Sequence, residues 1–163
     1  MRRTLVGLAL AAAMLVAAGC AAASGGGGGS GEAVYRRNLG RATPLDVARY
    51  TRVILQRFHY QIERADSTEY YTFFETRWRG RYPFQDELDS GVVEVTSRLT
   101  IRARAIRGTL SLAPVEFTAE NMVRMRESGE WRRGLMTPMA REYFRDIADA
   151  LKQEFDAHMR VRG

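Results

Sequence analysis

Two segments of this chain alternate with a period of two, and that pattern constrains the fold more than anything else in the sequence. From Val92 to Ile106, Val93, Val95, Leu99, Ile101, Ala103 and Ala105 fall on one side; Glu94, Thr96, Arg98, Thr100, Arg102 and Arg104 fall on the other. From Val115 to Met125, Val115, Phe117, Ala119, Val123 and Met125 stand against Glu116, Thr118, Glu120 and Arg124. Successive side chains of a strand point to opposite faces, so both segments predict strands with one apolar and one wet face. Antiparallel sheets permit that arrangement. Charge then selects the register. Opposed residue numbers that sum to 218 set Arg102 against Glu116, Arg98 against Glu120 and Glu94 against Arg124, with Thr100 facing Thr118. Each such pair contributes roughly 0.2–1 kcal/mol. The apolar face then opposes Ile101 to Phe117, Leu99 to Ala119 and Val95 to Val123. Ser97 meets Asn121, and the two polar groups are expected to satisfy one another. The turn predicted between the strands is Gly108-Thr109-Leu110, and Pro114, which cannot donate to a ladder, marks an edge or a bulge.

Helices flank this sheet. Thr43-Pro44-Leu45-Asp46 combines an N-cap, a proline in the first turn and an acid three residues past the cap, which together signal a helix start. Val47, Tyr50, Ile54 and Phe58 then recur at helical spacing, with Arg49, Arg52, Gln56 and Arg57 off the stripe. Thr137-Pro138 starts a second helix with the stripe Tyr143, Phe144, Ile147, Leu151 and Phe155. Between the first helix and the long strands, Tyr60 and Ile62 alternate with Gln61 and Glu63 and end at an Ala65-Asp66-Ser67 turn. Tyr70 to Arg79 reads as another strand, with Thr72, Phe74, Thr76 and Trp78 on one face and Glu75, Arg77 and Arg79 on the other. Residues 32–42 offer only Val34 and Tyr35 as short-strand material, and Arg126 to Gly134 is a polar stretch. The fold class expected is α+β: a four-stranded antiparallel meander with two helices on its apolar face, in the order α-β-β-β-β-α.

The N-terminus has a different character. Met1-Arg2-Arg3 is a positive leader, and Leu5 to Ala18 is apolar save for Gly7. A membrane-crossing helix needs roughly 20 apolar residues, so this run reads as the core of an export signal. It closes on Ala17-Ala18-Gly19-Cys20. That sequence resembles the lipobox of the bacterial lipoprotein family, although Ala17 stands where the family prefers leucine. The resemblance implies cleavage between Gly19 and Cys20 and attachment of diacylglycerol to the Cys20 thiol. Cys20 is the chain's one cysteine, so no disulfide explains it. An ordinary secretory cleavage site with an incidental cysteine is the alternative. Ala21 follows in place of an aspartate, which favours outer-membrane over inner-membrane sorting. The run from Ser24 to Gly31 has the composition of a tether, natural or engineered. Three segments follow: a signal peptide over 1–19, a lipidated cysteine and tether over 20–31, and a single periplasmic domain over 32–163.

Few residues suggest chemistry. The two histidines, His59 and His158, have no second histidine or cysteine at ligand spacing. His59 is expected to pack at a helix–strand junction, and His158 to sit favourably near a helix C-terminus. Asp86, Glu87 and Asp89 cluster before the long strand without calcium-loop spacing. No nucleophile elbow or phosphate loop occurs, so no catalytic residue, metal or cofactor is assigned. Net charge is +6; loss of Arg2 and Arg3 with the leader leaves +4. That excess is too interleaved with acids to predict nucleic-acid binding, but suits anionic headgroups. Of the 25 basic side chains only Lys152 is lysine, most simply a mark of GC-rich coding. Tyr70, Tyr71, Phe73 and Phe74 form a candidate aromatic docking patch for a partner or lipid.

A helix leading into "FHYQIERADS", then "YYTFFETRW", then a long alternating strand, resembles the helix-grip repeat of the C component of the outer-membrane β-barrel assembly machine. The likeness spans roughly Asp46 to Ile106 and rests on element order. It implies a non-catalytic accessory or interaction module held at the membrane through Cys20, with an envelope protein as its unidentified partner. A carrier gripping a lipid or other apolar ligand between helix and sheet is the alternative. An exported hydrolase lacks a nucleophile–base pair.

Overall fold

A computed structural model describes residues 33–105, 112–134 and 136–160. The expected signal segment with Gly19, the expected lipidation residue Cys20, the expected tether of residues 20–31, Ile106 and the expected turn Gly108-Thr109-Leu110 lie outside the described residues.

The two alternating segments form β5 (Val92–Arg104) and β6 (Ala113–Met125), paired antiparallel in the register the charges select. Arg98 opposes Glu120, Glu94 opposes Arg124, Arg102 opposes Glu116 and Thr100 opposes Thr118. On the other face Leu99, Ile101, Ala103, Val115, Phe117 and Ala119 are fully buried. Two details differ from the sequence expectation. A register shift between Val92 and Glu94 turns Val92 inward and leaves Val93 only half-buried. Ser97 and Asn121 are opposed, but Ser97 Oγ lies 2.7 Å from the Tyr60 hydroxyl. The nearest acceptor for Asn121 Nδ2 is Met136 Sδ at 3.9 Å.

The class is α+β with an antiparallel sheet, but a four-stranded sheet under two helices is corrected to seven strands and three helices among the described residues. The expected strands survive as β2 (Ile62–Ser67), β3 (Tyr71–Thr76), β5 and β6, but β2 runs on through Ala65-Asp66-Ser67, where a turn was expected, because these residues pair with Phe74, Phe73 and Thr72. To these the chain adds β1 (Val34–Ala42), β4 (Arg79–Arg81) and β7 (Trp131–Arg133). The order is β1-β6-β5-β3-β2, with β4 paired to β5 and β7 paired to β6. Seven strands therefore occupy five rows, because β4 shares the β3 side of β5 and β7 shares the β1 side of β6. Strand β1 escapes a period-two reading because its register shifts between Asn38 and Arg41. Gly40 sits there at φ 94°, with its N–H held by Asn38 Oδ1 at 2.7 Å. Strands β4 and β7 have three residues each, too few to show any period.

Both long helices lie on the apolar face. In α1 (Pro44–Arg57) the Thr43 hydroxyl accepts the Asp46 N–H at 3.1 Å and Pro44 fills the first turn. In α3 (Pro138–Arg160) Thr137 Oγ1 accepts the Ala140 N–H at 3.3 Å. Helix α1 packs on β2, β3 and β5, and α3 packs on β1 and on α1. Phe74, Phe117, Phe144, Phe155, Ile54 and Leu151 meet in one cluster between them, each worth about 1.5–3 kcal/mol in burial. The acidic residues before β5 lie on the short helix α2 (Gln85–Asp89).

His59 does not pack. It is exposed and holds φ 60° at the end of α1, where the Tyr60 N–H returns to Leu55 O at 2.8 Å and the His59 N–H to Gln56 O at 3.0 Å. That is the left-handed helix stop usually given to glycine.

Candidate functional site

With both long helices on one side, the other face of the sheet is left to solvent. Even-numbered side chains of β1, β5 and β6 line it, and β3 contributes odd-numbered ones, as the registers require. Twist and bulges bend this face into an open concavity of about 630 Å³, lined among others by Arg36, Phe73, Arg98, Arg102, Glu116 and Glu120. Arg98 sits near its centre. Its Nη2 donates to Glu120 at 2.8 Å, its Nη1 lies 3.6 Å from Glu75, and its guanidinium stands 4.9 Å from the Trp78 ring. Glu94 and Arg124 form a second cross-strand pair. The result is a lattice of guanidinium donors and carboxylate acceptors around an aromatic floor.

Phe73 is that floor. Its ring is overlain by Arg64 at 5.2 Å and Arg102 at 5.8 Å, and it stacks with Tyr71 at 6.4 Å and 8°. The docking patch read from sequence is therefore split. Tyr71 and Phe73 share the open face, and Tyr70 is 47% exposed before β3 begins. Phe74 is 0% exposed within the core, because adjacent residues of a strand point to opposite faces; it cannot dock anything.

Trp78, grouped by alternation with Thr72, Phe74 and Thr76, parts from them: those three are buried, and Trp78 belongs to the outer face. Paired residue numbers along β3 and β5 shift by one at β4: Glu75 opposes Thr100, but Arg79 opposes Ser97. The inserted residue inverts the facing, and Thr76 Oγ1 accepts the Leu99 N–H at 3.0 Å beside the irregularity. Trp78 turns outward, and Arg79 and Arg81 turn inward.

These inward arginines meet partners that sequence reasoning left unconnected. Arg79 Nη1 donates to the Tyr143 hydroxyl at 2.9 Å and its guanidinium lies 5.1 Å from the Tyr60 ring. Burial, reinforced by the nearby Tyr143, raises the Tyr60 phenol well above the ordinary range. Bonded to Ser97, it stays protonated at neutral pH. Arg81 makes a bidentate pair with Glu87, 2.7 Å for each bond, with side chains 7% and 1% exposed. Glu87 Oε2 also accepts the Phe84 N–H at 2.8 Å.

The acidic group Asp86, Glu87 and Asp89 is thereby taken apart. Asp86 Oδ2 accepts the Met139 N–H at the start of α3, and Asp89 accepts from Gln85. No group of three or more metal-ligating side chains converges among the described residues. His158 stacks on Tyr50 at 3.9 Å, with Nδ1 2.8 Å from Glu154 O, and neither histidine lines the concavity. The chemistry on offer is recognition: paired charges, aromatic faces and hydroxyls.

A smaller hollow of about 290 Å³ lies at the end of the sheet beyond the main core, between apolar Val92, Val123 and Met125 and the more polar Glu87, Arg132 and Thr137. The strap that borders it passes close to the sheet, since a Cβ on Gly134 would stand 2.5 Å from Val123 Cγ1. No helix among the described residues is long and apolar enough to cross a membrane. No protein-family model matches the chain, and no curated protein matches it.

Proposed function

We propose that this chain is a bacterial lipoprotein, anchored through Cys20 and facing the periplasm from the outer membrane, whose domain is a non-catalytic interaction module in envelope biogenesis. The open sheet face carries the reading. A concavity of about 630 Å³, lined by Arg36, Arg98, Arg102, Glu75, Glu116 and Glu120, suits a polar protein surface of mixed charge. Its alternating charges argue against nucleic acid, which rewards an unbroken basic field. The anchoring half of the proposal rests on the lipobox-like run ending at Cys20.

Two measurements test it. A photo-crosslinking residue at Thr118, on the open face, should capture a discrete envelope protein in intact cells, and the same residue at Gln153 on α3 should not. Equal yields at both positions would remove the sheet face from the proposal. Cys20→Ser should abolish incorporation of radiolabelled palmitate; equal labelling of mutant and wild type would overturn the anchor.

The carrier reading keeps one supporting observation, and it has moved. Phe74, Phe117 and Phe144 fill the space between helices and sheet, so an apolar ligand is better placed in the hollow over Val92 and Val123. That volume is at the small end of ligand sites. Native mass spectrometry of protein purified from membranes would reveal such a ligand as a mass that Val123→Trp removes.

A further inference from the structure

We infer that the end of the molecule built from β4, α2, β7 and the start of α3 rests on the phospholipid bilayer, with Trp78 and Trp131 at the lipid–water interface. The inference rests on the proposed anchor and adds the orientation of the domain that the anchor holds.

The exposed apolar side chains are unevenly placed. Among the described residues eight large ones are exposed, and Trp78, Tyr82, Leu88, Trp131 and Met139 are five of them. The strand registers bring their elements together. Gly80, Thr96, Met122 and Arg133 form one row across the sheet, and Glu94, Arg124 and Trp131 form the row two residues further along, on the same face. Tyr82, Gly80 and Trp131 line one shallow trough of about 580 Å³. Helix α2 and the start of α3 border the same end, where Asp86 holds the Met139 N–H.

The chain enters the domain at this end. Ala33 and Val34 line a small hollow with Trp78, Met122 and Arg133, and Val34 opposes Glu120, the partner of Arg98 in the Trp78 row. Thirteen residue steps separate Cys20 from Ala33, at most about 45 Å at full extension. Whatever the tether's path, a lipid on Cys20 keeps this end within that distance of the headgroups. Tryptophan and tyrosine, with an apolar body and a polar tip, favour the interface. Arg132 and Arg133 are exposed beside Trp131, and Arg126, Glu127 and Glu130 are exposed in the turn before it. Three cations against two carboxylates leave an excess of one, so aromatic insertion drives the contact and zwitterionic lipid suffices.

Trp78 and Trp131 are the chain's two tryptophans, which makes the test direct. The lipidated mature protein is reconstituted into phosphatidylcholine vesicles with and without bromine on the acyl chains, and tryptophan emission is compared. Interfacial insertion should leave the emission clearly weaker in brominated than in unbrominated vesicles. Trp78→Phe and Trp131→Phe leave one reporter each, and both should be quenched. Flotation of the same samples reports anchoring separately. Protein that floats with unquenched emission retains its anchor and overturns the docking, leaving the face to a protein partner. Quenching of only one tryptophan overturns the face as drawn. Protein that fails to float overturns the anchor and the docking together.

Discussion

Removing the charge of Glu87 should cost more than any other single polar change in the domain. The carboxylate is 1% exposed and its partner Arg81 is 7% exposed. Glu87→Gln keeps the volume and one acceptor for the Phe84 N–H, but leaves a guanidinium buried beside a neutral amide. Arginine cannot shed its proton to escape. Breaking a buried pair in this way costs about 3–5 kcal/mol, a third or more of the stability typical of a domain this size. Assayed by urea denaturation followed by circular dichroism, with a slope of about 2 kcal/mol/M, the midpoint should fall by roughly 2 M. Two companions make the reasoning exposed to failure. Arg81→Met with Glu87→Leu removes both charges and should recover most of the loss, because desolvating the pair consumes much of what its attraction supplies. Glu94→Gln breaks the pair with Arg124, whose side chains are 49% and 39% exposed, and should change stability by about 0.5 kcal/mol or less. A Glu87→Gln variant within about 1 kcal/mol of wild type would mean that water reaches the pair, and the argument from burial would be refuted.

Other sites give narrower tests. The Tyr60 phenol is raised by burial, so above about pH 10 the unfolded state releases a proton that the folded state keeps. Stability is then fully present below pH 10 and declines as pH climbs toward the folded value; Tyr60→Phe should flatten that decline by up to about 1.4 kcal/mol per pH unit in denaturant titrations, and an unchanged slope would contradict it. His59→Gly relieves a left-handed backbone at φ 60° and should raise stability by about 1 kcal/mol; calorimetry showing a loss would mean that the imidazole has a role beyond its backbone. Gly134→Ala places a methyl 2.5 Å from Val123 Cγ1 and should cost about 1–3 kcal/mol by overpacking, measured by the same melts, with no loss if the strap moves aside.

The long strands were readable from sequence because three independent constraints converge on one register: charge pairs on the wet face, apolar pairs within, and a shared parity. Both helix starts were readable because Thr43-Pro44 and Thr137-Pro138 declare their caps in local chemistry. Three of the expectations that failed share one cause. A bulge inserts a residue, inverts every later facing, and leaves no mark in the hydrophobic pattern. Beyond Asn38 it concealed β1, at Val92 it exchanged the facing of two valines, and between Thr76 and Arg79 it sent Trp78 outward and two arginines inward. A tryptophan among threonines and an arginine after it read as core followed by surface, and only the partner strand reveals the reversal. The candidate site was hidden by the same device. Trp78 reaches the open face, and Arg81 reaches Glu87, because one residue more than the ladder needs lies between Thr76 and Arg79. Strict alternation through Arg77, with no residue left over, would instead bury Trp78, expel Arg81 and leave Glu87 without its counterion. The irregularity is therefore what permits an aromatic rim and a buried ion pair on one short strand.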